Sequence, residues 1–130
     1  MGDTMNNIEF RYYYRDGANF KKLGSVVFSN PEQLDPRVID TTLRGSFWDD
    51  LFIAHQARVP EVFLYLDGPF SFDDHCYHEF VAVEASDRPS NDEHGRTVAE
   101  FASEVAGLRG RWQEFDPNDS HSWAGRTLAA

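Results

Sequence analysis

Apolar and polar side chains alternate most strictly over residues 8–15, where Ile8, Phe10, Tyr12 and Tyr14 fall on one face and Glu9, Arg11, Tyr13 and Arg15 on the other. A period of two is that of a strand with one face buried, so the first strand is placed here. Asp16-Gly17 supplies a turn, and the polar stretch Ala18 to Lys22 leads into Gly24-Ser25-Val26-Val27-Phe28-Ser29, a short apolar run of strand length. A second strand there pairs back on the first.

The pattern then changes. Asp35 is suited to cap free helical amides, Pro36 fits the first helical position, and Leu34 can pack on Ile39 as a hydrophobic staple. These signals predict a helix over 36–44 with Val38, Ile39 and Leu43 inward, Arg44 near its end and Gly45 as a left-handed cap. Residues 47–57 fit a helical turn and an extended edge segment equally well, and Pro60 ends them. Val62 to Leu66 has strand content and is closed by Asp67-Gly68-Pro69. Residues 77–85 alternate again, with Tyr77, Glu79, Val81 and Val83 opposed to His78, Phe80, Ala82 and Glu84. After the long polar loop Ser86 to Gly95, Thr97 and Glu100 form a capping-box pattern, which predicts a second helix over 97–107 burying Val98, Phe101, Ala102 and Val105.

The order β-β-α-β-β-α makes this an α+β protein, an antiparallel or mixed sheet of about four strands covered by two helices. A length of 130 residues matches one domain, with residues 1–6 and 116–130 expected to be irregular. Composition supports a core, because 41% of residues are hydrophobic and eleven Phe, five Tyr and three Trp supply large rings to bury. No run approaches the ~20 apolar residues of a membrane helix. The start of the chain lacks the features of a signal peptide, so a cytoplasmic location is expected. Cys76 is the one cysteine, which rules out an intrachain disulfide and suits a reducing compartment.

Charge is unevenly placed. Residues 1–48 are balanced, whereas residues 49–130 carry six arginines against sixteen carboxylates, so the whole net charge of -10 arises there. Such a chain repels nucleic acid and anionic membrane, whose binding depends on Lys and Arg, and its field steers it toward basic surfaces. Asp49, Asp50, Asp67, Asp73, Asp74, Asp87, Asp92 and Glu93 are the carboxylates that would face such a partner. Gathered rigidly on one side, they would imitate the phosphates of a duplex. Arg11, Tyr13 and Arg15, on the outward face of the first strand, form a second contact surface of the residue types that anchor interfaces.

The densest chemistry lies in Asp73-Asp74-His75-Cys76-Tyr77-His78-Glu79, two imidazoles, a thiol and three carboxylates within seven residues. On a strand, Cys76 and His78 point to one side and His75 and Glu79 to the other. The spacing matches no standard zinc site, and His55 or His94 would have to complete a ligand set. The metal candidates are therefore His55, His75 and His78, and a metal-dependent or His-based enzyme centred on the Asp73–His78 segment is the alternative reading. No Gly-rich phosphate loop is present, and the residues themselves imply no cofactor.

The stretches Phe10 to Lys21, Gly24 to Pro31 and Asp73 to Phe80 resemble a family of small uncharacterised bacterial proteins, a likeness that covers most of residues 8–86 and brings no activity with it. In size and charge alone the chain is also similar to acidic inhibitors of phages and mobile elements, including anti-CRISPR proteins. The expectation is thus a non-catalytic acidic interaction module that binds a basic protein partner and, in its sharpest form, an inhibitor of nucleic-acid-binding machinery by nucleic-acid mimicry.

Overall fold

The computed structural model describes residues 7–16, 18–63 and 75–115. The element order is β1 (Asn7–Arg15), β2 (Lys21–Phe28), α1 (Pro36–Ser46), β3 (Leu51–Phe52), α2 (Ala54–Ala57), β4 (His78–Ser86) and α3 (Val98–Gly107). The four strands form one antiparallel sheet in the order β2-β1-β4-β3. This is the expected α+β class, although a single-turn helix separates β3 from β4 and makes three helices among the described residues where two were predicted. The predicted strand 62–66 is not formed at Val62 and Phe63, and its remainder lies outside the described residues, as do the predicted irregular ends 1–6 and 116–130. Among the described residues no helix is long and apolar enough to cross a membrane.

β1 keeps its predicted alternation: Ile8, Phe10, Tyr12 and Tyr14 are all buried. Helices α1 and α3 cover that face with Ile39, Leu43, Val98, Phe101 and Val105. Phe10 sits at the centre of the core, its ring 5.5 Å from Phe80 and 5.0 Å from Phe101. β2 begins three residues earlier than expected, because the pairs Arg15 with Lys21 and Tyr13 with Leu23 carry the ladder almost to the hairpin turn. There the Asp16 carboxylate accepts the amides of Ala18 and Phe20. Gly24 lies opposite Tyr12, and a Cβ there would meet the Tyr12 ring at 2.8 Å. The ring is fixed by its hydroxyl, which donates to the Pro60 carbonyl at 2.6 Å.

α1 starts as the capping signals require, with the Asp35 carboxylate accepting the Arg37 amide at 2.9 Å. It runs past Gly45 to Ser46 and is capped by Phe47, so Gly45 is an interior helical residue and not the left-handed cap. Its buried residues are Ile39, Leu43 and Ser46, spaced four and three apart. Val38 lies off that stripe and is exposed, contrary to the expected pattern. In the ambiguous 47–57 region both alternatives are realised in succession. Trp48 and Leu51 exchange two backbone hydrogen bonds around Asp49 and Asp50, whose φ values of 53° and 66° suit a tight turn with both central residues left-handed. β3 and α2 come next.

β4 departs from simple alternation at one place. Arg11 pairs with Ala82 but Tyr12 pairs with Phe80, so Val81 is an extra residue in a β-bulge. The bulge reverses the facing of the later residues of the strand: Phe80 and Val83, three residues apart, both turn toward the core. α3 carries the full capping box, the Glu100 amide donating to the Thr97 hydroxyl and the Thr97 amide to the Glu100 carboxylate.

Candidate functional site

The second face of the sheet has no helix over it among the described residues. Along β1 it presents Glu9, Arg11, Tyr13 and Arg15, and the neighbouring strands add Glu79, Glu84, Lys21, Leu23 and Ser25. Glu9 and Glu84 stand directly opposite each other, a like-charge pairing that two arginines relieve. Arg88 reaches Glu9 at 3.1 Å and Arg11 reaches Glu84 at 2.7 Å. Tyr13 donates its hydroxyl to Glu79 at 2.7 Å and accepts a hydrogen bond from Arg15. The guanidinium of Arg15 and the ammonium of Lys21 also lie 5.2 and 5.4 Å from the centre of the Tyr13 ring. Burial and the Glu79 carboxylate raise the Tyr13 phenol above its ordinary value, with Arg15 opposing.

Hydrogen-bond direction shows where this face ends. The Val27 amide donates to the Asn91 side chain at 2.8 Å and its carbonyl accepts from the Asn91 amide at 2.9 Å, so both groups point away from β1. Alternate residues along a strand aim their backbone groups to the same side. Lys21, Leu23 and Ser25 therefore direct their N–H and C=O groups outward as well, along the outer edge of β2. Leu23 is 71% exposed and Phe20, beside the turn, is 68% exposed. Leu23 lies opposite Tyr13, so an apolar pair crosses from the open edge into the face. Arg11, Tyr13 and Arg15 lie on the outward face of β1 as the alternation predicts, whereas the sequence reading did not place Lys21 and Leu23 beside them. Polarity gives no period-two signal for them, since Lys21 and Lys22 are both charged and the apolar Leu23 is the exposed residue while Gly24 faces the Tyr12 ring.

The predicted acidic residues are dispersed. Asp67, Asp73 and Asp74 lie outside the described residues. Asp50 is held by Arg44 at 2.8 Å. Asp92 is buried in an ion pair with Arg96 at 2.9 Å, its side chain 3% exposed. Glu93 is exposed beside His94 at 3.6 Å, while Asp49 is exposed on a turn and Asp87 on the loop after β4. Among the described site carboxylates, then, two are engaged by the chain's own arginines, while Asp49 sits on the turn before β3 and Asp87 and Glu93 on the loop between β4 and α3.

The three histidines considered as metal ligands are built into the fold. His75 accepts the Tyr77 amide at Nδ1, 3.0 Å, and Nε2 lies 2.6 Å from the Arg15 carbonyl. Because a carbonyl only accepts, Nε2 carries the proton and both ring nitrogens are occupied. His78 is fully buried, accepts the Val62 amide at 3.0 Å through Nε2, and packs edge-on against Phe63. His55 faces Glu61 at 3.7 Å and meets the edge of Phe115. Cys76 is buried and forms no disulfide. Among the described residues no three His, Cys, Asp or Glu side chains gather as a metal site.

No protein-family model, curated protein or solved structure matches the chain.

Proposed function

We propose that this protein is a non-catalytic interaction domain that docks an extended, apolar segment of a basic protein partner along the edge of β2 that no strand covers among the described residues. The observation that carries this reading is the edge itself: three residues with outward backbone groups, an exposed Leu23 at their centre and Tyr13 behind it. A strand added there gains main-chain hydrogen bonds, and pockets for alternate side chains select its sequence. The two charge features divide the work. The net charge of -10 raises the encounter rate with a basic partner, whereas short-range contact falls on a face whose carboxylates are already paired. Glu93 lies two residues from Asn91, where β2's edge is closed, and offers a carboxylate to the end of a docked strand.

Duplex mimicry asks for more, a regular row of unneutralised carboxylates, and the pairing of Asp50 and Asp92 leaves that version with less support than strand addition. The test is capture of partner from lysate at about 50 mM and about 500 mM salt, a range over which screening of exposed charges becomes strong. Leu23→Lys should abolish capture at both, and Glu93→Gln with Asp87→Asn should weaken it at low salt only. Capture that survives Leu23→Lys would exclude the β2 edge.

A further inference from the structure

A groove of about 480 Å³ opens at the end of α1, lined by Gly45, Ser46, Phe47, Trp48, Arg109 and Trp112 among others. It lies apart from the β2 edge and takes no part in strand docking. Its volume falls within the range of small-molecule sites. One wall is rigid, because the Trp112 indole N–H donates to the Ser46 carbonyl at 2.9 Å and its ring packs 5.9 Å from Phe47. The other carries Trp48, 61% exposed, with the edge of Tyr77 at 5.7 Å as its ring neighbour. Gly45 adds room: a Cβ at that position would meet nothing within 4 Å. A glycine inside a helix costs roughly 1 kcal/mol relative to alanine, and no packing contact here requires it.

Arg109 supplies the charge. Arg11, Arg15, Arg37, Arg44, Arg58, Arg88 and Arg96 each have a carboxylate within ion-pair distance. Among the described arginines, Arg109 and Arg111 do not, in a chain with ten carboxylates in excess. The negative end of the α1 dipole is also moderated at this groove, since the Ser46 carbonyl is taken by Trp112, the Leu43 carbonyl by the Phe47 amide, and Arg44 sits in the last turn. We propose that the groove binds a small molecule in which a flat unsaturated ring carries a carboxylate or phosphate, the ring stacking on Trp48 and the anion taking the Arg109 guanidinium. Guanidinium forms its best hydrogen bonds with such planar or tetrahedral anions, and an exposed indole offers its face for stacking.

The experiment follows the Trp48 indole N–H resonance by NMR during titration with adenosine 5′-monophosphate, adenosine, inorganic phosphate, indole-3-acetate and indole. The two ring-bearing anions should shift it with dissociation constants near or below ~1 mM, and their neutral or ringless counterparts should bind at least roughly tenfold more weakly. Preference for the phosphate or the carboxylate probe identifies the source of the anion. Arg109→Gln should remove the advantage of the anions, and Trp48→Ala, followed through the Trp112 indole N–H on the facing wall, should weaken every ring-bearing probe. Both side chains are exposed, so unchanged melting curves will verify that the variants fold. Equal affinity for adenosine and its monophosphate, an Arg109→Gln protein that binds like the parent, or no response to any probe at millimolar concentration would each overturn the proposal.

Discussion

Replacing Asp92 by Asn removes one charge from the most enclosed ion pair among the described residues and leaves a buried guanidinium short of a partner. Arg96 is 5% exposed and its guanidinium lies 5.4 Å from the Phe28 ring and 5.2 Å from Phe101. All five of its side-chain N–H groups find acceptors: two on Asp92, one on Glu104, and the carbonyls of Ala57 and Arg58. Asp92 also accepts the Arg96 amide, so one carboxylate closes the loop before α3 and neutralises a buried cation. Removing one partner of a buried pair costs about 3–5 kcal/mol. Asn retains an acceptor and Glu104 remains, which places the loss near ~3 kcal/mol. Against a total stability of about 5–15 kcal/mol, this lowers the urea midpoint by roughly 1–2 M. Acid titration gives an independent check. Burial tends to raise the Asp92 carboxyl, but the hydrogen bonds and charge of Arg96 outweigh it and hold the group below its ordinary value. A depressed carboxyl stabilises the fold above the unfolded value of about 3.9 and loses that contribution as pH falls through the folded value. The parent should therefore weaken below pH ~4 and the gap between parent and variant should narrow. A urea midpoint unchanged at pH 7, or a gap that stays constant into acid, would refute the assignment of stability to this pair.

Three further outcomes are expected. Gly24→Ala drives a methyl group into the Tyr12 ring, which its bond to Pro60 prevents from moving freely, and should cost about 1–3 kcal/mol by urea denaturation; a variant as stable as the parent would show that the ring yields. His78→Leu leaves the Val62 amide without its acceptor and should lose about 1–3 kcal/mol, whereas a neutral result would deny the imidazole its structural role. Zinc at tenfold excess should leave the melting temperature of untagged protein unmoved, since both His75 nitrogens are engaged; a rise of several degrees would restore the metal reading.

The elements that could be read from the chain are those specified by local physics. β1 comes from strict alternation, and the starts of α1 and α3 from Asp35-Pro36 and the Thr97–Glu100 box, where the capping groups are within three residues of the amides they cap. The features that were not legible depend on contacts distant in sequence. The inward turn of Val83 results from a bulge that only the register against β1 reveals. Arg96 reads as a surface cation until the carbonyls of Ala57 and Arg58 are brought to it. For the same reason Asp92 reads as a partner contact: a carboxylate four residues from an arginine is equally compatible with solvent and with a closed internal pair. The reach of β2 to Lys21 is likewise set by its pairing with β1, since Lys21-Lys22-Leu23-Gly24 carries no alternation of polarity.

The sheet has two edges, and they are handled differently. β3 is only two residues long, and β2 is closed at Val27 by Asn91, both ordinary ways of blunting an edge. Between Lys21 and Ser25 neither of these two is used among the described residues; Lys21 and Lys22 bring charge to one end of the stretch, and Leu23 stands exposed beside them. Hydrogen exchange can test this asymmetry in the free protein. The amides of Gly24 and Val26 face β1 and should be protected, as should that of Val27, which Asn91 holds, while those of Leu23 and Ser25 should exchange rapidly. Addition of a partner strand would then slow those two amides selectively. Protection of Leu23 and Ser25 equal to that of Gly24 before any partner is present would mean that the edge is already filled, and the docking surface would have to be sought elsewhere.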